Sequence, residues 1–201
     1  LINKYDDSLR KFRFNYQVLL EDIIEIGTVL QKRMHTRKHE DLYNDFYKDA
    51  LTFKGYRAQD QTRAGSSASG KSAGELDIEI SNDFGITFSI LEAFRLDSLK
   101  QNVIVEHINK LLDKYDTSGH KKNIVIAYCE IDKFDELVTK YNTFLLNKLN
   151  THRLFGERYP AVSTSEIAFG KTDIRVFECK HKREGKEVSV FHVLIKIKVP
   201  E

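Results

Sequence analysis

Two carboxylates on neighbouring apolar stretches are the first candidates for chemistry: Asp77 in LDIEI (76–80) and Glu92 in ITFSILEAF (86–94), with NDFG (82–85) between them. Apolar and acidic residues alternate in the first stretch and the second is mostly apolar, so both are predicted strands, and the Gly-containing turn between them predicts a hairpin. If the chain turns about Phe84-Gly85, residues whose numbers sum to about 169 face one another, which sets Asp77 against Glu92. Cross-strand neighbours have Cβ atoms ~4.5–5.5 Å apart. Two carboxylates at that spacing suit a shared Mg2+, a cation that takes oxygen ligands and keeps several waters. Without a cation, adjacent like charges destabilise a sheet. In a slipped register the two acids would be ordinary exposed residues. Glu92 speaks for the site, because it interrupts an apolar strand where a charge is costly unless it is used.

The loop before this hairpin poses a rival reading. Residues 65–72 (GSSASGKS) satisfy G-x-x-x-x-G-K-[ST], whose amides cradle phosphate when a buried strand precedes it and a helix starts at the Lys-Ser pair. Neither flank complies. YRAQDQTRA upstream is too polar for a buried strand, and AGELDIEI downstream alternates with period two where a helix should begin. A P-loop nucleotide hydrolase is therefore the lesser reading, even though NIVIAYCEID (123–132) offers the apolar strand ending in an acid that its second motif needs. In the hairpin reading the same loop runs directly into the Asp77 strand, so it can lay the amine of Lys71 beside a metal held there.

The elements that must position these residues read, in order, α-α-β-β-β-α-β-α-β-β. Leu9, Phe12, Tyr16, Leu19, Leu20, Ile23, Ile24 and Leu30 recur at helical spacing through 1–34, and Leu42, Tyr43, Phe46, Tyr47, Ala50, Leu51 and Phe53 do so through 38–54. Gly55 then stands where a left-handed C-cap is expected. YRAQDQ (56–61) predicts a short strand, 97–115 a helix, NIVIAY (123–128) a central strand covered on both faces, and 132–149 a helix. Two strands, 173–179 and 187–199, follow, joined at REGKE (183–187). The first of them holds Asp173, Glu178 and Lys180, but the two acids are five residues apart on one strand and point to opposite faces.

An acid on a helix, Gly55-Tyr56 leading into a short strand, a Gly/Ser loop, GELD (74–77) on one strand and ILEAF (90–94) on the next give the chain a family likeness. Over about residues 38–130 it resembles the PD-(D/E)xK, or restriction-endonuclease-like, nuclease superfamily, in its Mrr-like branch or as the effector nuclease domain of a prokaryotic defence system. The resemblance implies an α/β fold with a restriction-endonuclease-like core (α-β-β-β-α-β) over 37–150, an N-terminal helical extension over 1–36 and a C-terminal β addition over 151–201, packed on the core. It also implies a phosphodiesterase site in which Asp77 and Glu92 bind Mg2+ or Mn2+, the carbonyl of Ala93 is a further ligand, and Glu40, or Asp41 beside it, is the helix acid. Two residues after the Glu the family has a lysine that positions or deprotonates the attacking water and offsets charge on the phosphate. This chain has Phe94 there. Arg95 falls on the opposite face by parity, so Lys71 is the residue expected to serve, lysines of this kind being known to migrate within the superfamily. Gln59 and Gln61, on the strand beside the hairpin, are placed to orient water or phosphate, although a polar edge strand explains them equally well.

Composition bounds the rest. The chain has 201 residues, 41% hydrophobic and 31% charged, which is ordinary for one folded domain with decorations. Its 32 basic and 30 acidic residues leave a net charge of +2 that neither demands nor forbids a polyanionic partner. Basic runs at 31–38 (QKRMHTRK) and 180–186 (KHKREGK) are the stretches for phosphate contacts, though such runs are usually solvated surface. Cys129 and Cys179 lie in apolar segments without a C-x-x-C pair, which predicts buried thiols in a reducing compartment and argues against a zinc site. The seven histidines (35, 39, 107, 120, 152, 181, 192) lack ligand spacing and read as surface or helix-face residues. No apolar run approaches the ~18–20 residues that span a bilayer, and no signal-peptide pattern opens the chain, so a cytoplasmic protein without a membrane partner is expected. The ends read as those of a domain cut from a longer protein. The sequence therefore predicts a Mg2+- or Mn2+-dependent endonuclease that cleaves DNA, or RNA in its place, as the effector module of a larger restriction or antiphage protein. The alternative is a catalytically degenerate nuclease fold that binds nucleic acid or mediates assembly. The apolar stripe on 1–34 suits either internal packing or docking on another domain or a second copy.

Overall fold

The computed structural model describes residues 15–33, 40–60, 78–82, 84–155 and 158–198. In chain order these form helices α1 (Tyr16–Arg33) and α2 (Glu40–Phe53), strands β1 (Arg57–Asp60), β2 (Ile78–Ser81) and β3 (Thr87–Leu96), and helix α3 (Gln101–Asn109), extended by a π-helical turn at Lys110–Tyr115. Strand β4 (Lys122–Cys129), helix α4 (Phe134–Asn147), a 3-10 turn at Leu149–Thr151 and strands β5 (Ala161–Ile167), β6 (Ile174–Arg183) and β7 (Lys186–Lys196) follow. The architecture is mixed α/β. The seven strands make one sheet in the order β1-β2-β3-β4-β7-β6-β5. β4 runs parallel to both β3 and β7, and every other pair is antiparallel. Among the described residues no helix is long and apolar enough to cross a membrane.

Alternation along the central strands explains the two layers of helices. In β3, Ile90, Phe94 and Leu96 join the apolar cluster under α3 and α4, while Leu91 and Ala93 join the cluster under α1 and α2. In β4, Val125, Ala127 and Cys129 serve the first cluster, and Ile124, Ile126 and Tyr128 the second. A strand buried on both faces has no polar side to show, hence the unbroken apolar run at 123–128.

Turn chemistry sets the joints. Gly55 ends α2 at φ 93°, and Tyr56 N–H donates to Leu51 O at 3.1 Å, the reach of a left-handed C-cap. Between β2 and β3, Gly85 takes φ 75°, and the Asn82 side-chain oxygen accepts from the amides of Phe84 (3.0 Å) and Ile86 (2.9 Å). Glu184 and Gly185 both have positive φ between β6 and β7, as a two-residue hairpin turn with the twist of its strands requires.

Several expectations need correction. The strand β5 escapes sequence reading because it is an edge strand with mostly exposed residues and no apolar alternation. The helix predicted over 97–115 starts at Gln101 and ends in a π turn, closed by Asp116 N–H donating to Leu111 O at 2.9 Å. Of the strands in 151–201, β7 is hydrogen-bonded directly to β4, with β6 and β5 beyond it in the same sheet.

The α1–α2 contact carries a first prediction. A Cβ on the buried Gly27 of α1 would stand 2.8 Å from Tyr47 Oη and 3.0 Å from Ile195 Cδ1. Tyr47 Oη cannot retreat freely, because it donates to Ile23 O at 3.0 Å. Gly27→Ala is therefore expected to destabilise the fold by about 1–3 kcal/mol, despite the better helix propensity of alanine. Urea unfolding of the two proteins measures it.

Candidate functional site

The carboxylate of Glu92 is the centre of the site. β3 carries it on the same face as Ile90 and Phe94, and the residue is 2% exposed. The helix that follows closes over it. α3 buries Ile104, Val105 and Ile108 against the sheet, and His107, three residues after Ile104, lies on the same stripe. His107 Nδ1 is hydrogen-bonded to Glu92 Oε1, and the imidazole stacks on the Phe94 ring with centroids 4.6 Å apart and planes 28° apart. The position where the resembled family has its lysine is thus covered by an aromatic pair that brings a histidine to the glutamate.

Arg95 points the other way, as parity requires. Its guanidinium forks onto Glu130, with Nε 3.1 Å from Oε1 and Nη2 2.5 Å from Oε2, and Tyr43 Oη donates to the same Oε1 at 3.2 Å. Glu130 follows β4, so this half-buried ion pair ties the ends of two parallel strands to α2. The bond to Glu130 raises the Arg95 pKa further above its ordinary value.

Glu40, the first residue of α2, is half-buried and feels these charges. Burial is the main force pushing its carboxyl up to about 7; the negative charges of Glu92 and Asp41 add to the rise, and the positive fields of His107 and Arg95 oppose it. Glu40 and Glu92 thus lie near enough for the charge of one to act on the other. Neighbouring carboxylates suit a hard divalent cation, whose binding offsets their repulsion.

The hairpin register is the one the sequence predicts: Ile78 pairs with Leu91, Glu79 with Ile90 and Ile80 with Ser89, each summing to 169. The described part of β2 begins at Ile78, so Asp77 lies outside the described residues, as do Lys71 and Gln61. Ala93 is buried beside Glu92, and Gln59 is exposed on β1 opposite Glu79. Glu92 meets His107 on one face of β3, Arg95 meets Glu130 and Tyr43 on the other, and Glu40 feels the charges of Glu92, His107 and Arg95. His107 was discoverable as a histidine on the apolar stripe of an amphipathic helix. Glu130 carried only the weak signal of an acid ending an apolar strand.

The surface reading of the histidines is overturned at two places. His181 on β6 and His192 on β7 are fully buried beneath α4, and burial lowers their pKa values to about 4 and about 3. Both cysteines are buried free thiols, as predicted, and burial pushes Cys179 up to about 11. Cys179, His181 and His192 lie together, so the argument against a zinc site from sequence spacing does not hold for strands that pair in space. The basic run at 180–186 is also largely engaged in the fold: Lys180 pairs with Glu187 at 2.9 Å, Arg183 with Asp116 at 3.1 Å, and His181 is interior. Most of the apolar stripe of α1 packs internally, leaving a groove of about 470 Å³ against α2 lined by residues including Ile26, Val29, Phe46 and Phe53.

Compared with protein-family models, curated proteins and solved structures, the chain matches none.

Proposed function

We propose that the protein is a divalent-metal-dependent nuclease of the PD-(D/E)xK kind, hydrolysing phosphodiester bonds in DNA. The observation that carries this reading is the buried Glu92 on β3, hydrogen-bonded to His107, with its negative charge felt by Glu40 of α2. Asp77, Glu92 and Glu40, with the Ala93 carbonyl, would hold Mg2+ or Mn2+. Such an ion lowers the pKa of bound water and offsets charge on the phosphate.

The residues around the metal have distinct tasks. Glu92 accepts from His107 through Oε1, and its carboxylate would contribute to holding the cation. His107 is held by that bond and by Phe94, which leaves its other ring nitrogen to exchange a proton with the attacking water or the leaving oxygen. It takes over the part of the lysine replaced by Phe94. Lys71 remains the candidate for contact with the phosphate, and Gln61 for orienting water. Arg95 and Glu130 hold the strand ends in place and do not meet the substrate in this scheme.

Incubating supercoiled plasmid, single-stranded DNA and RNA with the chain in Mg2+ or Mn2+ tests the reading. Nicking that requires the metal and weakens steeply with salt, as binding through phosphate contacts must, is the expected result. A second reading draws on the same aromatic pair: with Phe94 in the lysine position, the fold binds nucleic acid without cutting it. Salt-sensitive binding with no cleavage under either metal would favour that module over the nuclease.

A further inference from the structure

Pairing of β6 with β7 gathers three metal-ligating side chains that lie far apart in the sequence pattern. Phe177 faces His192, Cys179 faces Val190, and His181 faces Val188, so Cys179, His181 and His192 share the face under α4. The two histidine rows are four residues apart, ~14 Å at the usual strand rise, with Cys179 midway. The imidazoles close that gap from both sides. One ligand atom from each of the three residues lies within 4.8 Å of the others.

The hydrogen bonds orient these atoms. His181 Nδ1 meets Tyr159 O at 3.0 Å, and a carbonyl only accepts, so the proton is on Nδ1 and the lone pair on Nε2. His192 Nδ1 is 2.9 Å from Tyr141 Oη. Neither Nε2 has a partner among the described residues, although both side chains are fully buried. Buried polar atoms are nearly always satisfied. A histidine that gives its other ring N–H to a carbonyl or similar acceptor and leaves a free nitrogen beside a thiol has the outer-shell arrangement of a metal ligand.

We propose that Cys179, His181 and His192 form a zinc site, binding Zn2+ through one thiolate and two imidazoles. Sulfur and imidazole donors select Zn2+ over the hard Mg2+ and Mn2+ expected at Glu92. The Thr164 hydroxyl of the edge strand β5 donates to Cys179 Sγ at 3.4 Å, an outer contact that would steady the thiolate. Bound there, zinc ties β6 and β7 to each other and, through Tyr141 and Tyr159, to α4 and the segment leading into β5. Its role is structural and independent of the acidic site.

The test uses the full chain without an affinity tag, stripped by chelator and dialysed against zinc. One zinc per chain by elemental analysis, and a melting temperature raised by Zn2+ but not by Mg2+, are expected. Co2+ in place of zinc should give a thiolate-to-cobalt charge-transfer band on the unmodified chain, a result that stands whether or not any variant folds. Cys179→Ser should abolish the band, and His192→Gln should weaken zinc binding at least about tenfold. Absence of the band in the unmodified chain overturns the site, as does zinc bound with unchanged affinity by both variants.

Discussion

Glu92→Gln protein is expected to keep its fold and lose metal-dependent cleavage by at least ~100-fold. Glutamine has the shape of glutamate and still offers Oε1 to His107, so the contact between β3 and α3 survives. What it lacks is the charge that holds a cation. Replacing residues that merely support a metal ligand costs ~10–100-fold, and a ligand itself sets the upper end of that range as a floor. His107→Ala should cost ~10²–10⁴-fold, the usual share of a general acid or base. Plasmid nicking under Mg2+ or Mn2+, with circular dichroism to verify folding, measures both. Cleavage by Glu92→Gln at the rate of the unaltered protein would remove the nuclease assignment.

Asp116→Ala carries the largest expected loss of stability, about 3–5 kcal/mol, because it breaks a buried charge network from one side. Asp116 is fully buried just after the π turn. Its Oδ1 accepts from the His120 amide (2.8 Å) and His120 Nδ1 (2.7 Å), and its Oδ2 from Asn123 Nδ2 (2.9 Å) and Arg183 Nη1 (3.1 Å). Asn123 in turn accepts from the Ile90 amide at 3.0 Å, so one carboxylate links β3, β4 and β6. Alanine would leave the buried Asn123 without its carboxylate partner and the half-buried Arg183 with only the residue 116 carbonyl.

The cost should depend on pH in a stated direction. Burial alone would raise the Asp116 pKa, but hydrogen bonds from His120 and Asn123 outweigh it and hold the carboxyl below its ordinary 3.8; the bond to Asp116 raises His120 above 6.5. Stability from the lowered Asp116 is present above its unfolded value and lost as pH falls through the folded one. Stability from the raised His120 is complete below 6.5 and lost as pH climbs past its folded value. Both contribute in full between roughly pH 4 and 6.5. Denaturant unfolding should therefore show a greater penalty for Asp116→Ala at pH 5.5 than at pH 9, and an equal penalty at both would show that His120 adds nothing.

What the sequence determined by itself is local. Alternation in LDIEI and a Gly-containing turn were enough for the 169 register seen at Ile78, Glu79 and Ile80, because side-chain parity and turn geometry act over a few residues. The C-cap at Gly55 and the doubly buried β4 were legible for the same reason. The polar edge strand β5 was not, since a strand with little to bury leaves no periodic trace.

Tertiary structure alone decided the partners of each charge. Glu92 meets His107 only when α3 docks on β3, Arg95 meets Glu130 only when β3 and β4 lie parallel, and Cys179 meets His181 and His192 only when β6 and β7 pair. No spacing motif encodes such meetings, because they follow from how apolar faces on distant elements cover one another, and the polar residues are carried along with the faces that bury them.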